Sequence, residues 1–257
     1  MEAAIESWFR NDNDSHLQYK AAIDSIDGLG ILPDMKRELA DWTALYDRLL
    51  KAYGRQGWWP GRENRFEVIA GAILTQRTTW VNAARAVDAL RVADVLTPER
   101  LVRMASADLE DAIRSAGFYR AKAATLKAFC AVSQESGGVG QLLSLPLDAL
   151  RSALLSIRGI GAETADAILV YAAEYPSFIV DAYTRRLLER LGWITGSTQY
   201  DEIQAAFTAA LPSDAGVFGE AHALIVHHGK TQCRPRPLCQ ACPLMMYCVF
   251  GKRQEAS

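Results

Sequence analysis

The stretch SIRGIGAETADAILVYAAEYPSFIVDAYTRRLLERLGW, residues 156–193, decides the reading of this chain. It opens on a Gly-x-Gly turn, Gly159 and Gly161, set between two apolar patterns of helical period. A short apolar run then delivers one carboxylate, Asp181, onto a third helical pattern, AYTRRLLERL. Glycines at such a turn permit positive backbone dihedrals and the close approach of another backbone. The helix predicted to begin near Ala162 presents unsatisfied N–H groups and its positive dipole end to an anion. A phosphate suits that position without any base being read. A purely structural turn has the same local pattern, since helices commonly end in glycine. The remainder of the chain has to separate the two.

Outward from this stretch the pattern stays helical. In RFEVIAGAILTQ, Phe66, Ile69, Ala70, Ile73 and Leu74 recur at helix spacing. Thr97 before Pro98 reads as an N-cap with proline in the first turn, and Gly117 as the end of the helix ADLEDAIRSAG. LDALRSALLSI, YDEIQAAFTAAL and FGEAHALIVHHG add further helices, and SQESGGVGQLLSLP reads as the main internal loop. No alternating strand pattern with hairpin turns is found, so the predicted fold class is all-α. Residues 1–40 are polar with weak periodicity and read as an N-terminal extension.

With 257 residues, half of them hydrophobic, the chain can bury a substantial core. The start, MEAAIESWFRND, carries acids where a signal peptide carries bases, and no apolar run approaches the ~20 residues of a membrane span. A cytoplasmic monomer away from membranes is the expectation. The net charge of −2 gives no whole-chain basic excess. Binding to nucleic acid therefore has to rest on local clusters such as HHGKTQCRPR and the Arg185, Arg186 and Arg190 group.

Four of the five cysteines crowd into CRPRPLCQACPLMMYC: Cys233, Cys239, Cys242 and Cys248, while Cys130 stands alone in an apolar helix. Disulfide staples are unneeded in a chain of this size that reads as cytosolic. Four thiolates on one compact loop suit zinc or an iron–sulfur cluster. Asp181 makes a good N-cap, and a cap holds a carboxylate rigid and ionised. Glu163, in the first turn of the hairpin's second helix, is favourable to the dipole there.

The hairpin IRGIGAETA, the apolar loop ending in Asp181 and the terminal four-cysteine loop together resemble the endonuclease III family, helix-hairpin-helix DNA glycosylases with an aspartate-terminated loop. The similarity runs from about residue 40 to 250. It implies a six-helix barrel over 61–178 and a second domain from both chain ends, 41–60 and 179–257. It also implies a [4Fe–4S] cluster on Cys233, Cys239, Cys242 and Cys248. One departure stands: Cys233 and Cys239 enclose five residues, where the family's commonest spacing is six.

The resemblance assigns roles residue by residue. Asp181 would stabilise the positive charge developing on the sugar as a base departs, and orient or deprotonate water. Glu163 stands where strand-cleaving members carry the lysine that forms a Schiff base, which a carboxylate cannot do. Arg158, Gly159, Gly161 and Thr164 of the hairpin, with Arg234 and Arg236 of the cysteine loop, are the expected DNA contacts. Gln76 matches the family's inserting glutamine and Phe118 its apolar wedge. Trp58, Trp59 and Pro60, with Trp80 four residues after Gln76 and read on the same helical face, are expected around the flipped base. WWP, LTQ followed by Trp80, glutamate for lysine and TADAI are similar to the 3-methyladenine glycosylase III subgroup. The expectation is a monofunctional glycosylase that removes alkylated purines from double-stranded DNA by hydrolysis. The alternatives are an oxidised-pyrimidine or mismatched-base glycosylase with lyase activity, and a catalytically weak damage binder.

Overall fold

The computed structural model describes residues 33–58 and 64–255, and their regular structure is entirely helical. Most of the stretch read as an N-terminal extension, and Trp59 and Pro60, lie outside these residues. α1 (Pro33–Tyr53) begins inside that stretch. It is followed by α2 (Arg65–Leu74), α3 (Trp80–Val92), α4 (Pro98–Arg103), α5 (Ser106–Ala112), α6 (Tyr119–Glu135), α7 (Val139–Leu143) and α8 (Leu147–Ser156). α9 (Ala162–Tyr171), α10 (Ala182–Leu191), α11 (Tyr200–Ala210), α12 (Ala215–Thr231) and α13 (Val249–Glu255) complete the order.

Short polar side chains start several of these helices. The Asn64, Thr79, Thr97, Asp181 and Asp214 side chains each accept a backbone N–H of the following first turn. Two sequence expectations need correction. Gly117 closes a short 3-10 turn, Arg114–Ala116, because α5 already stops at Ala112. The glycine-rich segment is not all loop: Gly137 and Gly138 make the turn, and burial of Leu142 and Leu143 then holds the short helix α7.

The side chains form two apolar cores. The first gathers Phe66, Ile69, Leu101, Phe129, Leu150, Leu154, Ile168 and their neighbours from α2 to α9. Cys130 is fully buried here, and burial pushes its thiol up to about 12, so it is inert packing. The second core joins Trp42, Leu45 and Leu49 of α1 to residues of α10, α11 and α12 and to Cys233 and Cys248. Trp42 meets Phe207 edge-on at 4.4 Å, and Phe207 stacks on Phe178 at 3.6 Å. The segment before Asp181 is shared between the cores. Phe178 and Val180 enter the second, while Ile179 enters the first. An extended chain sends successive side chains to opposite sides, so this alternation fixes the approach of Asp181. No helix among the described residues is long and apolar enough to cross a membrane.

Candidate active site

The hairpin between α8 and α9 is shaped by one glycine. Gly159 has φ +95°, and a Cβ there would overlap the Thr125 hydroxyl beneath the turn. Gly161 was expected to need the same freedom and does not: its φ of −97° and ψ of −179° are extended backbone. Its Cβ position faces open space, leaving room for another backbone to approach. Gly161 also caps α9 without any side-chain hydrogen bond, and Arg158 is exposed at the tip. The first N–H groups of this ten-residue helix are thus not taken by a side-chain cap.

Asp181 lies at the N-terminus of α10 and is 9% exposed. Its Oδ1 accepts from Thr184 N at 2.7 Å. Its Oδ2 faces His222 Nε2 at 3.5 Å, near enough for an ion pair but not a formed hydrogen bond, and that imidazole nitrogen has no hydrogen-bond partner among the described residues. His222 Nδ1 is fixed by the Tyr171 hydroxyl at 2.8 Å. Burial alone would raise the Asp181 carboxyl. His222 and the Thr184 cap outweigh it and hold the group below its usual range. Glu163 goes the other way: crowding by protein raises it, the Asp181 charge adds to that, and His222 opposes. Glu163 nevertheless keeps exposed surface. The two acids are therefore close enough to couple, with opposite shifts, a pattern characteristic of functional sites. Sequence reading missed His222, whose only signal was a polar residue inside the apolar run AHALIV.

Two loops flank the hairpin. α2 stops at Leu74, Thr75 caps it, and Arg77 adopts a left-handed φ of 51° before Thr79 starts α3. Gln76 and Trp80 thus do not share a helical face. A turn separates them, and Trp80 is the first residue of α3, 37% exposed. Gln76 Nε2 donates to Gly159 O at 2.9 Å and to Thr164 Oγ1 at 3.0 Å, so this loop is docked on the hairpin. Phe118 stands out at 65% exposed with φ 47°. A left-handed conformation is strained for a bulky residue, and such strain concentrates at functional tips. The buried Lys122 joins both loops: its Nζ donates to Leu74 O at 3.0 Å and to Ala116 O at 2.7 Å. Burial lowers its ammonium to about 8.

Trp58 is half-buried, with its ring centroid 6.0 Å from His222. Its approach is fixed by Glu220, which accepts from Gln56 N at 2.5 Å and Gly57 N at 3.4 Å. Lys230 Nζ lies 5.4 Å from the centre of the Trp58 ring and 6.0 Å from that of Tyr183. Trp58, His222, Asp181 and Glu163 are thus linked side by side. Arg234 and Arg236 are exposed on the cysteine loop, apart from this group.

The four C-terminal cysteines are all free and line one cavity, together with Leu187, Arg190 and His228. Among the described residues, no three His, Cys, Asp or Glu converge as they would around a single metal ion. Four thiols spread over one cavity wall fit a larger group, and N–H donors already reach the sulfurs. Arg190 Nη1 lies 3.2 Å from Cys233 Sγ, and Gly251 N lies 3.3 Å from Cys248 Sγ. The donor set fits a [4Fe–4S] cluster. The arginines that read as a DNA-facing cluster are directed inward. Arg186 donates to the Gly229 and Cys233 carbonyls, Arg190 to those of Cys233, Arg234 and Pro235, and Arg185 to Thr198 O. Arg186 and Arg190 brace the loop that carries the cysteines, and Arg185 the connection between α10 and α11.

Residues 70–213 match the model of the HhH-GPD superfamily base excision DNA repair proteins. The chain is 44% identical over 208 residues to the Methanocaldococcus jannaschii protein MJ1434, whose name assigns it provisionally to the DNA repair glycosylases; the alignment covers 80% of this chain and 94% of that one. It is 31% identical to the endonuclease III of Thermotoga maritima, across 74% and 84% of the two chains. Among solved structures, an endonuclease III trapped as a covalent DNA intermediate superposes with a TM-score of 0.73 at 23% identity, covering 84% of this chain and 98% of that one. The Helicobacter pylori 3-methyladenine DNA glycosylase MagIII bound to 1,N6-ethenoadenine superposes with a TM-score of 0.63 at 27% identity, over 75% and 97%.

Proposed function

Since this chain belongs to the HhH-GPD superfamily of base excision DNA repair proteins and is a DNA glycosylase, we propose that it is monofunctional. In this reading it hydrolyses the N-glycosidic bond of damaged bases in double-stranded DNA and leaves the strand intact. One observation carries the proposal. The first turn of α9 places Glu163, not an amine, where it couples to Asp181. A carboxylate forms no imine with the sugar. Asp181, held ionised by His222 and by its cap, stabilises positive charge on the departing sugar and orients the attacking water. The hairpin N–H groups take a DNA phosphate, while Gln76 and Phe118 enter the duplex.

The substrate class we favour is the alkylated purine. Trp58 supplies an electron-rich ring and Glu163 a carboxylate, both suited to a cationic base. The similarity to a 3-methyladenine DNA glycosylase, solved bound to 1,N6-ethenoadenine, supports a damaged purine as substrate. Cys233, Cys239, Cys242 and Cys248 would hold a [4Fe–4S] cluster, which would cross-link the C-terminal loop to itself through its four thiolates. We assign the barrel to 61–178 and the cluster domain to 41–60 with 179–257.

The test is release of free base from duplexes carrying an alkylated purine, uracil, an oxidised pyrimidine or a mismatch, with the product identified by mass. Release of the alkylated purine in preference to the others is expected. Release of uracil or an oxidised pyrimidine alone would overturn the substrate assignment, and binding without release from any duplex would make the protein a damage binder.

A further inference from the structure

Asp166, on α9 one turn beyond Glu163, has no exposed surface. It accepts from Arg151 Nε at 2.9 Å and Ser177 Oγ at 2.9 Å on Oδ1. On Oδ2 it accepts from Arg151 Nη2 at 3.2 Å and the Tyr200 hydroxyl at 2.8 Å. An ionised carboxylate buried this deeply is costly unless every lone pair is engaged, and here four donors engage it. Two of the four donors tie Asp166 to the path that leads to Asp181. Ser177 opens that path, and the Tyr200 hydroxyl also accepts Val180 N at 3.3 Å, one residue before Asp181. Gln204, next along α11, donates to Phe178 O at 2.8 Å and lies 3.2 Å from Ser177 Oγ. Residues 177, 178 and 180 are therefore each tethered by a polar contact, in addition to the alternating burial of 178–180.

We propose that Asp166, through Tyr200, is the positioning device for Asp181: a buried carboxylate on the hairpin's second helix sets where the aspartate stands. The inference rests on Asp181 acting in base removal. The geometry explains why a charge is kept in this place. Apolar packing restrains a segment sideways but lets it slide along its own axis, whereas hydrogen bonds to Val180 N and Phe178 O stop that slide. Displacement of a reacting group by about 1 Å costs up to ~100-fold in rate.

Tyr200→Phe removes the hydroxyl between Val180 and Asp166 and keeps the ring. Two quantities are measured on the full protein: single-turnover base release from the duplex that the wild-type protein processes, and affinity for a duplex bearing a stable abasic analogue. Release should slow about tenfold or more, with affinity within twofold of wild type. Added to Asp181→Asn, the same change should cost nothing further, because a residue acting through another is silent once that one is gone. An unchanged rate, an equal loss of rate and affinity, or a full additional loss in the Asp181→Asn background would each overturn the proposal. Failure of the Asp181 reading itself appears separately, as normal release by Asp181→Asn alone. Should Tyr200→Phe fail to fold, Asp166→Asn, which keeps the shape and removes the charge that holds the Tyr200 hydroxyl, carries the same comparison.

Discussion

Asp181 serves two purposes with one side chain. Oδ1 caps α10 through Thr184, and Oδ2 faces His222. Asp181→Asn keeps an oxygen for the cap and removes the charge. Excision should slow by about 100-fold while affinity for abasic DNA is retained, as read by single-turnover release and by gel shift. Near-normal excision would reduce Asp181 to a helix cap. Glu163 makes the opposite prediction for stability. Its carboxyl is raised in the folded protein, so the folded state prefers the protonated form. Stability is then highest below the ordinary glutamate range and declines as pH rises from the unfolded value through the raised folded one. Glu163→Gln should therefore melt higher than wild type at neutral pH, with the gap closing as pH falls below that range. A gap that persists in acid would show that the raised Glu163 carboxyl is not its cause. The places of both residues at helix starts were legible in the sequence. Their surroundings were not: His222 reaches Asp181 from α12, and no local pattern shows that contact.

At the level of elements, the hairpin and its two flanking loops behave as one unit. Gly159→Ala must place a methyl on the Thr125 hydroxyl at φ +95°. We expect a loss of about 1–3 kcal/mol by chemical denaturation and weakened binding to undamaged duplex. Gly161→Ala, with extended backbone and open space, should cost little stability. Equal losses for the two would contradict the account of the turn. Lys122→Met leaves the Leu74 and Ala116 carbonyls without their donor and frees the Gln76 and Phe118 loops from one another. Excision from duplex should then fall well below excision of the same lesion in single-stranded DNA, where no helix has to be entered. Parallel loss on both substrates would show that Lys122 supports the core alone. The helices themselves were legible from period and caps, as at Thr97 and Pro98. The break between Gln76 and Trp80 was not, because Arg77 is a residue type that rarely marks a left-handed turn. α7 was hidden by its glycines, and only the burial of Leu142 and Leu143 reveals it.

Across the whole molecule, two cores meet along the segment that carries Asp181, and the cysteine loop closes the second of them. The all-helical fold was readable because every long segment shows helical period. The inward use of Arg185, Arg186 and Arg190 was not, since sequence alone does not distinguish a guanidinium on a carbonyl from one on a phosphate. Anaerobically purified protein should contain about four iron and four sulfide per chain, and Cys239→Ser should lower both the iron content and the melting temperature. Zinc without sulfide would contradict the cluster. The most direct test of the account is the state of the strand after base loss. With a duplex carrying an alkylated purine, the product should stay full length on a denaturing gel until alkali is added, and borohydride should trap no covalent complex. Efficient trapping of the unmodified protein would contradict the monofunctional reading, and would direct attention to Lys230, whose amine lies over the Trp58 ring.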